Sequence, residues 1–262
     1  MSTAEAEKIK EKIYGFLPGN FRNIPVICVD EAGSTNDEIK KLSESFDRLV
    51  YIARSQTKGR GRMGRSFFSP KGTRIYMSNL LHPQLEAEMC TLLTPLCAVA
   101  VSEAAEAVLG IKTGIKWVND IYLGHRKVAG ILTEGAFSQG KINYAVVGIG
   151  INLAPPESDF PQEIKDIASA LTVSTEKKEE LTAEIIKRFF FYSDLLPKKD
   201  FIDSYRKKLL FTGEEITVFS PSGDYTATLE GVDNMCRLII KTSDGKEETL
   251  NAGEISIRKL IK

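Results

Sequence analysis

Four cations and three glycines share eight residues of this chain, "KGRGRMGR", as Lys58, Gly59, Arg60, Gly61, Arg62, Gly64 and Arg65. Arginine presents a planar fork of donors that suits phosphate and carboxylate oxygens. Glycine lets the backbone approach a ligand closely. The segment fits anion chemistry, in one of three forms. A phosphate loop, G-x4-G-x-[ST], would need lysine where Arg65 stands and a helix directly afterwards, whereas Pro70 and Gly72 follow. A nucleic-acid arm would bind phosphates without reading sequence. A lid would close over a reactive phosphoanhydride and keep water away from it. The bland alternative is a solvated basic loop with no role.

Three further segments carry residues of use to the same chemistry. "GSTND" offers Ser34, Thr35 and Asn36, though either hydroxyl would also serve as a helix cap. "KWVND" sets Lys116, Asn119 and Asp120 around Trp117, the one tryptophan of the chain. Alone it reads as a turn with a buried aromatic, and Trp117 as a core residue. "VGIGINL" holds Gly148, Gly150 and Asn152. Its glycines either relieve packing in a crowded strand or admit a ligand.

The chain balances 35 Lys+Arg against 35 Asp+Glu over 262 residues. That argues against a protein built to coat nucleic acid and makes the arginine cluster a local device. Four cysteines without a CxxC pair, and two histidines, His82 and His125, are too few for a Cys/His zinc site and too sparse for a disulfide scaffold. A reduced, cytoplasmic compartment is expected. "MSTAEAEKIKEKIYGFL" lacks the apolar centre of a secretory signal. "MCTLLTPLCAVAVSEAAEAVLG" carries Glu103, Glu106 and a proline, so it reads as a buried helix, not a membrane span.

Short β-branched runs predict strands at Ile24 to Asp30, Arg48 to Ser55 and "TRIYMSNLL". Thr35 with Glu38 has the capping-box pattern and predicts a helix starting near Asn36. A long core helix is expected from about Glu86 to Leu109. "KVAGILTEGAF" and "INYAVVGIGINLA" flank "SQG" as a hairpin. Two helical stretches follow from about Glu179. After Thr212, short strands separated by turn residues every 8–12 positions predict a small all-β barrel.

With "GSTND", "GRGRMGR", "KWVND", "KVAGIL", "GIGIN" and the terminal "GEISIR" in this order over residues 24–262, the chain resembles the biotin protein ligases, also called biotin–[acetyl-CoA carboxylase] ligases. The resemblance implies an α+β fold. A catalytic domain with a mixed sheet, like that of class II aminoacyl-tRNA synthetases, would cover 1–212, and an SH3-like β-barrel 213–262. It implies a two-step reaction in which biotin's carboxylate attacks the α-phosphate of ATP to give biotinyl-5′-AMP and pyrophosphate. The acyl group then passes to a lysine of a biotin carboxyl carrier protein. ATP, with Mg2+ on its phosphates, and biotin are the expected small molecules, and no metal site of the protein's own is expected.

By motif, Lys116 matches the family lysine that meets the biotin carboxylate and the α-phosphate, and with Arg60 and Arg62 is the expected catalytic set. Ser34, Thr35, Asn36 and Gln56 match the segments around biotin's ureido ring. Arg60, Gly61 and Arg62 match the covering loop, and Gly130, Gly148 and Gly150 complete the biotin set. Arg62, Arg65, Phe67, Lys116, Asn119, Asp120 and Asn152 are expected on the adenylate side. Two departures stand out: Val118 replaces the proline usual in "KWPND", and Phe67 a common tryptophan. Only 23 residues precede "IPVICVD", too few for a DNA-binding domain, so a ligase that binds no DNA or membrane and is not a repressor is expected. A homodimer would use the strand from Asn143 to Leu153 as a sheet edge. The rival readings are a lipoate or octanoate ligase of the same superfamily, and a protein that binds biotin or nucleic acid without chemistry.

Overall fold

The β-branched runs assemble into a seven-stranded sheet in the order β1-β2-β3-β7-β6-β5-β4. Its strands are β1 (Val26–Ala32), β2 (Arg48–Gln56), β3 (Arg74–Leu81), β4 (Gly114–Lys116), β5 (Asp120–Leu123), β6 (Arg126–Ser138) and β7 (Lys141–Asn152). The computed structural model describes residues 2–156, 160–252 and 256–259. β1 and β2 run parallel and the remaining neighbours antiparallel, so the sheet is mixed. β3 is buried along its whole length, because both faces of the sheet are covered. Ile75 and Met77 turn to the main core, while Leu80 joins Ile39, Leu49 and Val146 in a smaller cluster on the other face.

The main core holds α3 (Leu93–Leu109), which packs against the sheet and against α4 (Lys178–Asp194). α3 is apolar nearly all round, as a helix with no solvent face must be. Residues Ala87–Leu109 have the length and hydropathy of a membrane span, yet 67% of the most apolar 18-residue window within them is buried inside the protein. The buried-helix expectation holds. α1 (Thr3–Phe16) packs on α4, and α5 (Ile202–Lys208) on α3.

Two expectations are corrected. α2 (Thr35–Lys40) begins one residue early, with Ser34 at the N-cap and no side-chain cap bond. Thr35's hydroxyl is turned to Gln56 instead, and Glu38 pairs with Lys41. No capping box forms there. The strand containing Asn143 to Leu153 lies between β3 and β6, in the middle of the sheet, so it offers no edge to a second copy. Its long antiparallel pairing with β6 is closed by Gln139 (φ 50°) and Gly140 (φ 77°), two successive left-handed residues that match the twist of a tight hairpin.

Beyond α5, β8 (Glu215–Phe219), β9 (Tyr225–Val232), β10 (Leu238–Thr242), β11 (Glu247–Leu250) and β12 (Ser256–Lys259) form an antiparallel sheet in the order β11-β10-β9-β8-β12. Of "GEISIR", Gly253 to Ile255 lie outside the described residues. This sheet shares its interior with the large one. Buried Trp117 donates its Nε1 proton to the Cys236 carbonyl at 2.9 Å, fastening the β4–β5 turn to the small sheet.

Candidate active site

The site is a narrow groove over the sheet face that carries α2. Three glycines make its floor. Gly130 and Gly150 are register partners on β6 and β7, and Gly148 stands two residues from Gly150. A Cβ on Gly148 would lie 2.2 Å from Asn36 Oδ1, and one on Gly150 2.5 Å from the Phe67 ring. The glycines therefore leave room that any side chain would fill.

One end of the groove is a closed polar network. Thr35 donates from its backbone to Gln56 Oε1 at 2.8 Å and from its hydroxyl to the same oxygen at 3.1 Å. Gln56 Nε2 donates to Ser69 Oγ. The Ser78 hydroxyl lies within hydrogen-bond distance of Thr35 Oγ1 (2.8 Å) and Asn36 Oδ1 (2.6 Å). Asn36 Nδ2 donates to Glu134 Oε2 at 2.7 Å, and Lys40 to Glu134 Oε1 at 2.7 Å. Burial alone would raise the Glu134 carboxyl, but the bonds from Lys40 and Asn36 and the nearby Arg60 charge outweigh it and hold it below its ordinary value.

The other end is cationic. Gly59 to Phe67 folds back as a small hairpin, with Gly61 donating to the Arg65 carbonyl and Phe67 to that of Gly59. Its tip turns at Met63 (φ 56°) and Gly64 (φ 71°). Gly59 is fixed by crowding, since a Cβ there would meet the Phe67 carbonyl at 2.7 Å. No helix follows the segment, which removes the phosphate-loop reading. Arg60 is exposed and pairs with Asp37 and Glu134. Arg62 donates from Nη1 to Asn119 Oδ1 at 3.1 Å and from Nη2 to the Ala252 carbonyl, so the loop reaches across to the small sheet. Lys127 lines the same end, its ammonium 2.7 Å from Asp120 Oδ1 and against Gly130.

The fold brings Ser34, Thr35, Asn36, Gln56, Arg60, Gly61, Arg62, Phe67, Asn119, Gly130, Gly148 and Gly150 to the groove wall. Four other predicted residues lie off it. Arg65 is exposed on the loop. Lys116 lies two strands out from Gly130, with its ammonium 5.6 Å from the centre of the Tyr122 ring. Asp120 separates the two and meets the groove through Lys127. Asn152 is buried one step beyond Gly150 on the same face. Sequence reasoning missed Lys127, Glu134 and Ser78. Lys127 opens the "KVAGIL" motif from which only Gly130 was taken. Ser78 was visible as the one serine of its strand.

The arrangement can hold a neutral polar head at one end, an uncharged chain over the glycines, and an anion between Arg62 and Lys127. Comparison with known proteins supplies the family. The biotin/lipoate A/B protein ligase family matches residues 27–152, and the biotin protein ligase C-terminal domain residues 211–258. The chain is 34% identical to the bifunctional ligase/repressor BirA of Bacillus spizizenii over 239 residues, 87% of this chain and 72% of that protein. It is 28% identical to the biotin–[acetyl-CoA-carboxylase] ligase of Paracoccus denitrificans, covering 82% of this chain and 93% of the relative. Among solved structures it is similar to the Aquifex aeolicus biotin protein ligase in complex with biotin and ATP, with a TM-score of 0.75 and 30% identity over 90% of this chain and 99% of that one.

Proposed function

The chain belongs to the biotin protein ligase family, and from that premise we propose how its groove activates biotin with ATP and passes it to a carrier lysine. The observation that carries the assignment of roles is the glycine floor between a neutral polar end and a cationic end. Biotin's ureido ring is uncharged and offers both donors and acceptors. It is matched by Ser34, Thr35, Asn36 and Gln56, while the acyl chain runs over Gly148, Gly150 and Gly130. The carboxylate then arrives beside Arg62 and Lys127.

Attack of that carboxylate on the α-phosphate of ATP brings two anions together, and fixed cations supply the needed stabilisation without reorganising. The new C–O–P bond forms as the α–β anhydride breaks, and pyrophosphate leaves on its magnesium. Lys127, steadied by Asp120, is the cation at the reacting atoms, with Lys116 behind it. Arg60 holds the loop to α2 and β6 through Asp37 and Glu134. With the lid down, water is kept from the acyl phosphate until the ε-amine of a biotin carboxyl carrier protein attacks the carbonyl and AMP departs. Lipoate and octanoate carry no ureido ring to exchange hydrogen bonds with the Thr35–Gln56–Asn36 network, which disfavours them.

We take residues 1–212 as the catalytic unit and 213–262 as the terminal one, working in the cytoplasm and without DNA. Pairing of two copies through the large sheet would use β1, because β4 is already bridged to Leu209. The test is exchange of labelled pyrophosphate into MgATP with biotin, lipoate, octanoate or no acid. Exchange with biotin alone is expected. Exchange only with lipoate or octanoate would overturn the substrate, and none with any acid would overturn the chemistry.

A further inference from the structure

The arginine loop is strapped down on two sides of the groove. Its root is tied to the end of β1, where Thr57 and Lys58 donate from their backbones to the Ala32 and Gly33 carbonyls at 3.0 and 2.7 Å. Beyond that root, Arg62 reaches Asn119 and Ala252, whereas Arg60 reaches α2 and β6. One nitrogen of the Arg60 guanidinium, Nη2, donates to Glu134 Oε2 at 3.0 Å and to Asp37 Oδ1. That nitrogen carries two protons, one for each carboxylate. Asp37 belongs to α2 and Glu134 to β6, so a single side chain joins the loop to both elements. Neither acid lines the groove.

Exposed ion pairs alone contribute little. With side chains 40% and 46% exposed, Arg60 and Asp37 form a pair of that kind. Glu134 is different: it is 23% exposed and also accepts from Lys40 and Asn36. An ionised carboxylate only accepts, so it obliges Asn36 to turn its amino group outward and its Oδ1 toward Ser78. The same two oxygens thus order the polar end of the groove and hold the loop.

We propose that Glu134, with Asp37, is the catch that keeps the lid down, holding Arg60 so that the acyl-adenylate stays in the groove until the carrier amine arrives. Both acids are positioning residues that act through Arg60. This inference rests on the ligase reading above and adds to it the residues that govern retention of its intermediate.

The test is the rate at which the intermediate escapes. Enzyme is loaded with labelled biotin and MgATP, with pyrophosphatase present and no carrier, then diluted into unlabelled biotin and MgATP. Release of labelled biotinyl-5′-AMP is followed. Glu134→Gln is expected to speed release about tenfold, the worth of a hydrogen bond to a charged group. Asp37→Asn should speed it about threefold, as befits an exposed pair. Arg60→Met should release at least as fast as Glu134→Gln, and adding Glu134→Gln to it should change the rate less than about twofold, since the catch then has nothing to hold. A Glu134 that acted only by shaping the polar end would speed release equally with and without Arg60, and that result overturns the proposal. So does release from Glu134→Gln at the wild-type rate. Should Glu134→Gln not fold, Asp37→Asn decides, and an unchanged rate again overturns it. A wild type that forms no labelled biotinyl-5′-AMP would instead sink the ligase reading, and is told apart from all of these.

Discussion

Position 148 must be glycine because Asn36 lies over it and cannot step aside. The amide is held by Ser78, by the Leu132 carbonyl and by Glu134. A methyl group there would displace it from all three. Gly148→Ala is expected to raise KM for biotin at least tenfold and to lower stability by about 1–3 kcal/mol, the usual cost of overpacking. Exchange kinetics and urea unfolding read the two effects separately. The lysines make a second comparison at this scale. Lys127→Met is expected to lower kcat by about 100-fold or more, the range seen when one preorganised charge is lost from a transition state. Lys116→Met should cost under about tenfold, since its ammonium lies over Tyr122. Equal losses, or the reverse order, would return the catalytic role to Lys116.

Elements meet at Glu134, where β6 is joined to α2 through Asn36 and Lys40 and to the arginine loop through Arg60. Its folded pKa is depressed below 4.5. The stability it contributes is thus fully present above that value and is lost as pH falls through the folded value. Thermal melting from about pH 7 down to pH 3 is expected to show a fall in that acid range which Glu134→Gln flattens; an unchanged slope would remove the carboxylate from this role. Strands were the easiest elements to foresee, because β-branched runs declare themselves locally: Arg74 to Leu81 falls where its run put it, and the first strand lies at Val26 to Ala32, two residues on from Ile24 to Asp30. The sheet order was not foreseeable: β3 pairs with β7 across some seventy residues, and no local pattern encodes that. This is why residues 143–153 passed for an edge. The start of α2 was misread for another reason, since Thr35's hydroxyl has the chemistry of a cap and is used on Gln56. Motif order identified most of the groove wall but not Lys127, whose role depends on which way its strand faces.

At the scale of the whole molecule, the two sheets share one apolar interior, from Leu96 and Phe189 in the helices to Leu229 and Ile240 in the small sheet. Calorimetry is therefore expected to show a single unfolding transition, and two resolved transitions would mean that the small sheet melts on its own. The junction also depends on polar contacts: Arg62 to the Ala252 carbonyl, and Trp117 to that of Cys236. Trp117→Phe removes a buried donor and leaves a carbonyl unpaired, which should cost about 1–3 kcal/mol of stability. Because Trp117 is the one indole in the chain, the protein carries a built-in optical reporter at this seam. Its emission, excited selectively, would follow the parting of the terminal sheet from the catalytic body with no label attached, and would separate that event from movements of the lid.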